Sequence, residues 1–226
     1  MMNSTGHEEV MNRFSTDTLL NQCVPSTGNM KLDSLLFNEP KTILIYGEAA
    51  SGKTNLVLSI FHRTPPCCSP LVYISTEGSS YQDRVLQLNM PEDRFFLEAL
   101  STEHLLDVLL TMLLHGVAPK LLVIDSINSF YRVSVQSFED LRHFLSLLAV
   151  LALIREYLGS WIIMTAQVHE TDEGVEPSGF KYIIPWVDVV CRTRTLEHSL
   201  KELRVLSPTN AVFVFDITEK GINWIY

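Results

Sequence analysis

The sequence is poor in charged residues, and in basic residues above all. Only 19% of its 226 residues are charged, below the roughly 25% that is typical of soluble proteins. It has 17 lysines and arginines against 26 acidic residues, which makes its net charge −9. This balance argues against a broadly basic surface for nucleic acids, although it leaves room for a small basic site.

Cysteine is scarce too, and its positions follow no motif. Cys23, Cys67, Cys68 and Cys191 form no CxxC and show no paired spacing. Because 46% of the residues are hydrophobic, a chain of this length can bury a substantial core without covalent cross-links. We therefore expect the four cysteines to be reduced, buried or half-buried thiols.

Long apolar runs and secretory signals are also missing. Residues 1–22 are polar, and the strongest apolar run, residues 144–154, is shorter than the about 20 residues that span a bilayer. This run is typical of a buried core helix. We expect an intracellular, soluble protein with no membrane segment.

Short apolar runs alternate with helical segments over most of the chain. The predicted strands are residues 43–46, 71–75, 121–124, 161–165 and 187–191. The predicted helices are residues 53–62, 81–88, 103–115 and 137–158. Apolar strands that alternate with helices indicate an α/β fold, with a mostly parallel central sheet covered by helices on both faces.

The two ends of the chain have a different pattern. Residues 203–206, 211–217 and 222–225 are short strand-like runs separated by turn residues, which predicts C-terminal antiparallel β-hairpins at the edge of the sheet. Residues 1–25 have no strong periodicity. We therefore expect a flexible N-terminal arm at 1–25 and one domain at 26–226.

The stretch GEAASGKT, residues 47–54, follows a predicted strand and precedes a predicted helix. Glycines at this spacing let backbone N–H groups surround phosphate oxygens, and the helix N-terminus adds a favourable dipole. We expect Lys53 to reach the β- and γ-phosphates and the Thr54 hydroxyl to ligate Mg²⁺. The predicted nucleotide contacts here are Gly47, Glu48, Ala49, Ala50, Ser51, Gly52, Lys53, Thr54 and Asn55.

Three more polar residues stand at or just past predicted strand ends. Asp125 ends LLVID and is suited to hold a Mg²⁺-bound water, because such ends face the ligand crevice of α/β sheets. Glu77 is placed to orient or deprotonate a water that attacks a γ-phosphate, but a solvated loop glutamate fits equally well. Gln167 ends WIIMTAQ, where an amide can sense the γ-phosphate or be an ordinary strand-end residue.

In this order, the motifs resemble those of the RecA/RadA-type recombinase superfamily, and most nearly of its archaeal RadB-like paralogues. The resemblance extends from about residue 25 to the C-terminus and implies a RecA-like P-loop NTPase core that binds ATP and Mg²⁺. The matching segments are residues 26–36 (STGNMKLDSLL), 76–78 (TEG), 83–84 (DR), 122–132 (LVIDSINSFYR), 166–169 (AQVH) and 214–224 (VFDITEKGINW).

The resemblance also implies roles for single residues. Glu77 matches the family's catalytic glutamate, Gln167 its γ-phosphate sensor, and Arg84 the arginine that stacks on adenine. An ordinary surface arginine is the alternative for Arg84. The expected catalytic residues are Lys53, Glu77 and Gln167, and the expected metal ligands are Thr54 and Asp125.

The segments that match the family's DNA-binding loops are poor in basic residues. Residues 131–137 contain Arg132 as their only cation, and residues 169–179 contain four acids with no lysine or arginine. Four carboxylates repel a phosphate backbone, so we expect ssDNA to bind weakly if at all. The acidic segment is either a solvated loop or a contact for a basic protein surface. The later cations, which form either a basic edge or ordinary surface, are Arg192, Arg194, Lys201 and Arg204.

These features predict an ATP-binding recombinase paralogue with weak Mg²⁺-dependent ATPase activity, an accessory or mediator in homologous recombination and DNA repair. Its expected partner is a RadA-type recombinase or another paralogue. The alternative is a RecA-fold regulatory or signalling ATPase without a direct DNA role. The expected location is the cytoplasm or nucleoid of an archaeon, or the nucleus of a eukaryote.

Overall fold

A computed structural model describes residues 23–134, 138–171 and 174–225 of the chain. The helices are α1 (Met30–Leu36), α2 (Lys53–Arg63), α3 (Gln82–Gln87), α4 (Thr102–Leu114), α5 (Ser129–Ser134), α6 (Phe138–Leu158) and α7 (Phe180–Ile183). The strands are β1 (Thr42–Gly47), β2 (Leu71–Ser75), β3 (Arg94–Glu98), β4 (Leu121–Asp125), β5 (Trp161–Thr171), β6 (Gly174–Pro177), β7 (Val189–Thr195), β8 (Lys201–Ser207), β9 (Ala211–Thr218) and β10 (Gly221–Trp224).

The strands form one sheet in the order β10-β9-β8-β7-β1-β5-β4-β2-β3, and β6 pairs with β5 outside this path. The neighbours from β7 to β3 are parallel. The pairs that β8, β9 and β10 add beyond β7 are antiparallel. The predicted mostly parallel sheet with C-terminal antiparallel hairpins is therefore confirmed.

Helices cover both faces of the sheet. Successive side chains of a strand point to opposite faces, so each apolar strand contributes to two cores. Ile43 and Ile45 of β1 join one core, to which α1 and α2 contribute. Leu44 and Tyr46 join the other core, which includes side chains of α4 and α6. Strands β1, β2 and β4 are buried along their whole length. Burial on both sides explains why their sequences are continuously apolar rather than alternating.

The predicted helices are present with small shifts at their ends. Gly116 follows the C-terminal end of α4 and Gly159 follows α6, both with positive φ, as expected of glycines that end helices. The capping-type residue before α6, Ser137, lies outside the described residues. The pattern does not predict β3, since its apolar run is only three residues long, Phe95–Leu97, and none of the three is fully buried. Within the described ranges, no helix is both long and apolar enough to cross a membrane.

The STG motif at residues 26–28 anchors the start of the domain. The hydroxyl groups of Ser26 and Thr27 donate to the carboxylate of Asp33 in α1, at 2.8 and 2.6 Å. The carbonyl of Thr27 accepts from the Arg63 guanidinium at 2.8 Å and from the Trp224 indole N–H at 2.9 Å. In this chain the motif therefore joins α1 to the end of α2 and to β10.

The expectation of four reduced cysteines is wrong for two of them. Cys23 and Cys67, which are 44 positions apart, form a disulfide. The fold brings these two cysteines together, and their spacing in the sequence gives no sign of it. Cys68 and Cys191 are free and buried, as expected.

The acidic segment after Gln167 forms a hairpin rather than a loop in its described part. Strand β5 continues past Gln167 to Thr171 and pairs antiparallel with β6, with Val168 opposite Pro177. Ladder hydrogen bonds thus order this backbone, which overturns the loop interpretation for these strands. Outside the described residues lie Asp172 and Glu173, residues 135–137 of the other DNA-loop match, and residues 1–22 of the predicted arm.

Candidate nucleotide-binding site

The GEAASGKT segment connects β1 to α2 at the carboxyl edge of the sheet. Strand β1 ends at Gly47, and Gly52 caps α2 with a left-handed φ of 92°. A Cβ at Gly47 would lie 2.4 Å from two oxygens of Thr193 in β7, so the neighbouring strand can approach only a glycine there. Because Gly52 has no capping side chain, the first N–H groups of α2 are open to an anion.

The side chain of Lys53 is buried inside this loop, with 7% of the residue exposed. Its ammonium donates to the carbonyl oxygens of Gly47 and Glu48, each at 2.8 Å. A buried charge needs polar partners, and the loop carbonyls supply them. The cation therefore lies in the centre of the loop, the position that a phosphate-binding lysine requires.

Asp125, at the end of β4, accepts hydrogen bonds from three hydroxyl groups. Thr54 and Tyr73 donate to its Oδ2 atom at 2.8 and 2.5 Å, and Thr165 donates to Oδ1. The residue is only 6% exposed, so these donors replace the water that its carboxylate loses. The pairing places the two predicted metal ligands, Thr54 and Asp125, side by side, and both offer the oxygen atoms that Mg²⁺ prefers.

Glu77 and Gln167 are in direct contact above the strand ends. The Gln167 Nε2 atom donates to both carboxylate oxygens of Glu77, and the Ser126 hydroxyl donates to one of them at 2.6 Å. Gln167 lies opposite Gly47 in the β1–β5 register, so this pair is adjacent to the phosphate loop. Glu77 is exposed to solvent and yet held by two side chains, which supports the predicted role in positioning a water.

One cleft of about 380 Å³ brings most of the predicted residues together. The predicted residues that line it are Ala49, Ala50, Gly52, Lys53, Thr54, Asn55, Glu77, Arg84, Asp125 and Gln167. Ser51 instead turns its hydroxyl to that of Thr193, at 2.7 Å, and neither Gly47 nor Glu48 lines the cleft. The sequence did not predict Ser80, which lines it as well.

Arg84, the residue matched to adenine stacking, is held at the rim of this cleft. Its guanidinium donates to the carbonyl of Thr218 in β9 at 2.7 Å and to the side chain of Gln87. Partial burial lowers the pKa of Arg84. These contacts fix the side chain beside the phosphate loop, and its contact with adenine stays a prediction.

Sequence reasoning missed Tyr73 and Thr165, the two further hydroxyl donors to Asp125. Tyr73 stands in the middle of an apolar strand, and its ring packs on Phe61 and Phe96. Burial raises the pKa of Tyr73 well above its ordinary value, and the charge of Asp125 adds to this rise. The hydroxyl therefore stays protonated and donates. The sequence signal that could have identified Tyr73 is its hydroxyl group, since a tyrosine in a buried strand needs a hydrogen-bond partner for that group.

Three of the four late cations make contacts within the fold. Lys201 donates to the Ala50 carbonyl of the phosphate loop at 3.0 Å. Arg194 and Arg204 both pair with the buried carboxylate of Glu202, at 2.8 and 3.3 Å. These contacts favour a structural role over a basic edge that is open to a ligand.

No family model matches the chain. The chain is 27% identical over 218 residues to the DNA repair and recombination protein RadB of Methanosphaera stadtmanae, and the match covers 86% of this chain and 93% of that protein. It is 28% identical over 178 residues to the DNA repair and recombination protein RadB of Methanococcus maripaludis, and this match covers 73% of this chain and 81% of that protein.

The fold is similar to that in a crystal structure of the RadB recombinase. The TM-score is 0.73 at 23% identity, and the match covers 89% of this chain and 99% of that one. The predicted RecA-like fold class is confirmed by this likeness together with the sheet order. By sequence and by fold, the chain is thus similar to RadB proteins.

Proposed function

We propose that this chain binds ATP with Mg²⁺ and hydrolyses it slowly. The observation that carries the proposal is the convergence of five predicted residues on one cleft: Lys53, Thr54, Glu77, Asp125 and Gln167. The α2 N-terminus has no side-chain cap, so its first N–H groups are open to phosphate oxygens.

Each of these residues has a task that its contacts allow. Lys53 and the loop N–H groups are proposed to hold the phosphates, and Thr54 and Asp125 to hold Mg²⁺, which neutralises phosphate charge when bound. Glu77 orients the attacking water or accepts its proton. We expect slow turnover because both Glu77 oxygens already accept hydrogen bonds, so a water has to compete for them.

We infer that this activity serves homologous recombination and DNA repair in an accessory or mediator role. The similar RadB proteins are named as DNA repair and recombination proteins. The net charge of −9 and the acidic residues of the β5–β6 segment argue against high affinity for DNA, because they repel its phosphates. We therefore propose an intracellular protein whose main partner is a RadA-type recombinase or another paralogue, with ssDNA bound weakly if at all.

A regulatory or signalling ATPase without a direct DNA role is the second candidate. The pairing of Arg194 and Arg204 with Glu202 favours it, because paired arginines are less available to phosphates. The same nucleotide site serves both candidates, so the difference between them lies in what changes the turnover.

The decisive experiment measures ATP turnover alone, with ssDNA, and with the RadA-type recombinase of the same organism. We expect slow, Mg²⁺-dependent turnover that the recombinase changes more than ssDNA does. Turnover that responds to neither supports the second candidate. Failure to bind ATP in equilibrium dialysis would contradict the nucleotide proposal itself.

A further inference from the structure

Three cysteine sulfurs meet at the N-terminal end of the described chain, away from the nucleotide cleft. The Sγ atoms of Cys23, Cys67 and Cys68 all lie within 4.8 Å of one another. In the part of the chain that the structure describes, this is the one group of three or more cysteine, histidine or acidic side chains that is this compact. A disulfide uses two of these sulfurs and leaves the presence of the third unexplained.

The backbone holds both sides of the cluster in place. Cys67 and Cys68 belong to a 3-10 turn, Pro66–Cys68, in which the Cys68 N–H donates to the Pro65 carbonyl at 2.9 Å. Cys23 precedes the STG motif, whose Thr27 is bound by Asp33 and Arg63. The three sulfurs are therefore brought together by anchored segments, as a preformed binding site requires.

The cluster has a buried end and an open end. Cys68 is fully buried, Cys23 is partly buried and Cys67 is exposed. Burial raises the pKa of the Cys68 thiol, while the positive charges of Lys120 and Arg94 act against that rise. The exposed Cys67 therefore offers an ion a path to the buried sulfur of Cys68.

We propose that, when reduced, Cys23, Cys67 and Cys68 form a binding site for a zinc ion. Zinc binds thiolates at about 2.3 Å in tetrahedral geometry, which sets the sulfurs of one site about 3.8 Å apart. The three Sγ atoms lie within 4.8 Å of one another, so small shifts bring them to this distance. Zn²⁺ is a borderline-soft cation that cysteine thiolates bind well. Three protein sulfurs leave the fourth coordination position to a water molecule.

The site forms by a balanced exchange. A dithiol reductant supplies two electrons and two protons to the Cys23–Cys67 disulfide and becomes a disulfide itself. Zn²⁺ then displaces the protons of the three thiols. The metal replaces the disulfide as the cross-link between residue 23 and the turn after α2, so the same connection persists in a reducing compartment, where disulfides are rare.

The test uses the full chain, reduced and freed of metal, and titrates it with Co²⁺ and then Zn²⁺. We expect one equivalent of Co²⁺ with a thiolate-to-cobalt charge-transfer band, which Zn²⁺ abolishes by displacement. The disulfide form should show no such band. Cys67→Ser removes a ligand and should weaken Zn²⁺ binding by at least the about 10–100-fold that loss of an outer-shell partner costs a metal site. Because Cys67 is exposed, its substitution leaves the core intact.

Cys191→Ala is the matched control. Cys191 is buried in β7 and does not belong to the group of three cysteines, so its removal should leave Zn²⁺ binding unchanged. Absence of a band in the reduced, folded chain would overturn the proposal. Equal Zn²⁺ affinity in Cys67→Ser and in the unsubstituted chain would overturn it as well, whatever the ATPase assays show.

Discussion

The side-chain amide of Gln167 donates to both carboxylate oxygens of Glu77, at 2.8 and 2.9 Å. This contact joins β5 to the segment after β2 across the intervening strand β4. Gln167 is also followed directly by the β5–β6 hairpin. If the cleft binds ATP as proposed, we expect a γ-phosphate that accepts a hydrogen bond from the Gln167 amide to free Glu77 for a water and to shift the hairpin.

Substitution of Glu77 should separate binding from turnover. Glu77→Gln keeps the shape of the side chain but removes its capacity to accept a proton, so we expect ATP hydrolysis to fall about 10²–10⁴-fold with ATP affinity nearly unchanged. Phosphate release and equilibrium dialysis measure the two quantities. Glu219→Gln, in the exposed β9–β10 turn, is the control. Undiminished hydrolysis in Glu77→Gln would remove Glu77 from the catalytic role.

Removal of the loop cation should abolish nucleotide binding. Lys53→Ala deletes the buried ammonium that the carbonyls of Gly47 and Glu48 surround, and the phosphate charge then loses its nearest counter-charge. Calorimetric titration with ATP checks this, with circular dichroism to confirm the fold. Lys220→Ala, at an exposed turn, should bind normally. Normal ATP affinity in Lys53→Ala would contradict the assignment of this cleft as the nucleotide site.

The Tyr73 hydroxyl should matter for both stability and Mg²⁺. Tyr73→Phe keeps the ring packing on Phe61 but removes a donor to the buried Asp125 carboxylate. Loss of a hydrogen bond to a charged group costs about 1.5–3 kcal/mol, which urea unfolding measures. We also expect half-maximal turnover to need more Mg²⁺. If Tyr73→Phe and the exposed Tyr157→Phe leave both quantities equally unchanged, Tyr73 does not position Asp125.

The chain should bind ssDNA weakly and with little dependence on salt. Each phosphate neutralised contributes a slope of about −0.7 in log K against log salt for single strands, and we expect few such contacts. Glu176→Lys, at an exposed position of the hairpin, should strengthen binding more than Glu219→Lys in the distant turn. A steep slope with sub-micromolar affinity at physiological salt would contradict this expectation.

Local sequence signals predicted much of the fold and the candidate site. The apolar runs identified five strands of the sheet because burial on both faces excludes polar side chains there. Gly116 and Gly159 marked helix ends because glycine accepts positive φ readily. Strand β3 was not predicted because its apolar run is short and none of its apolar residues is fully buried. The hairpin after Gln167 was not predicted because its many acids are typical of a loop.

The sequence by itself determined most of the alternation of strands and helices, the phosphate loop, and the polar residues at the strand ends, because each depends on neighbours a few positions away. Only the tertiary structure decided which distant residues meet. The hydroxyl donors to Asp125 come from positions 40 to 71 residues away, and Cys23 lies 44 positions from Cys67. Parallel strands gather such residues at one edge of the sheet, and the spacing in the chain carries no record of that proximity.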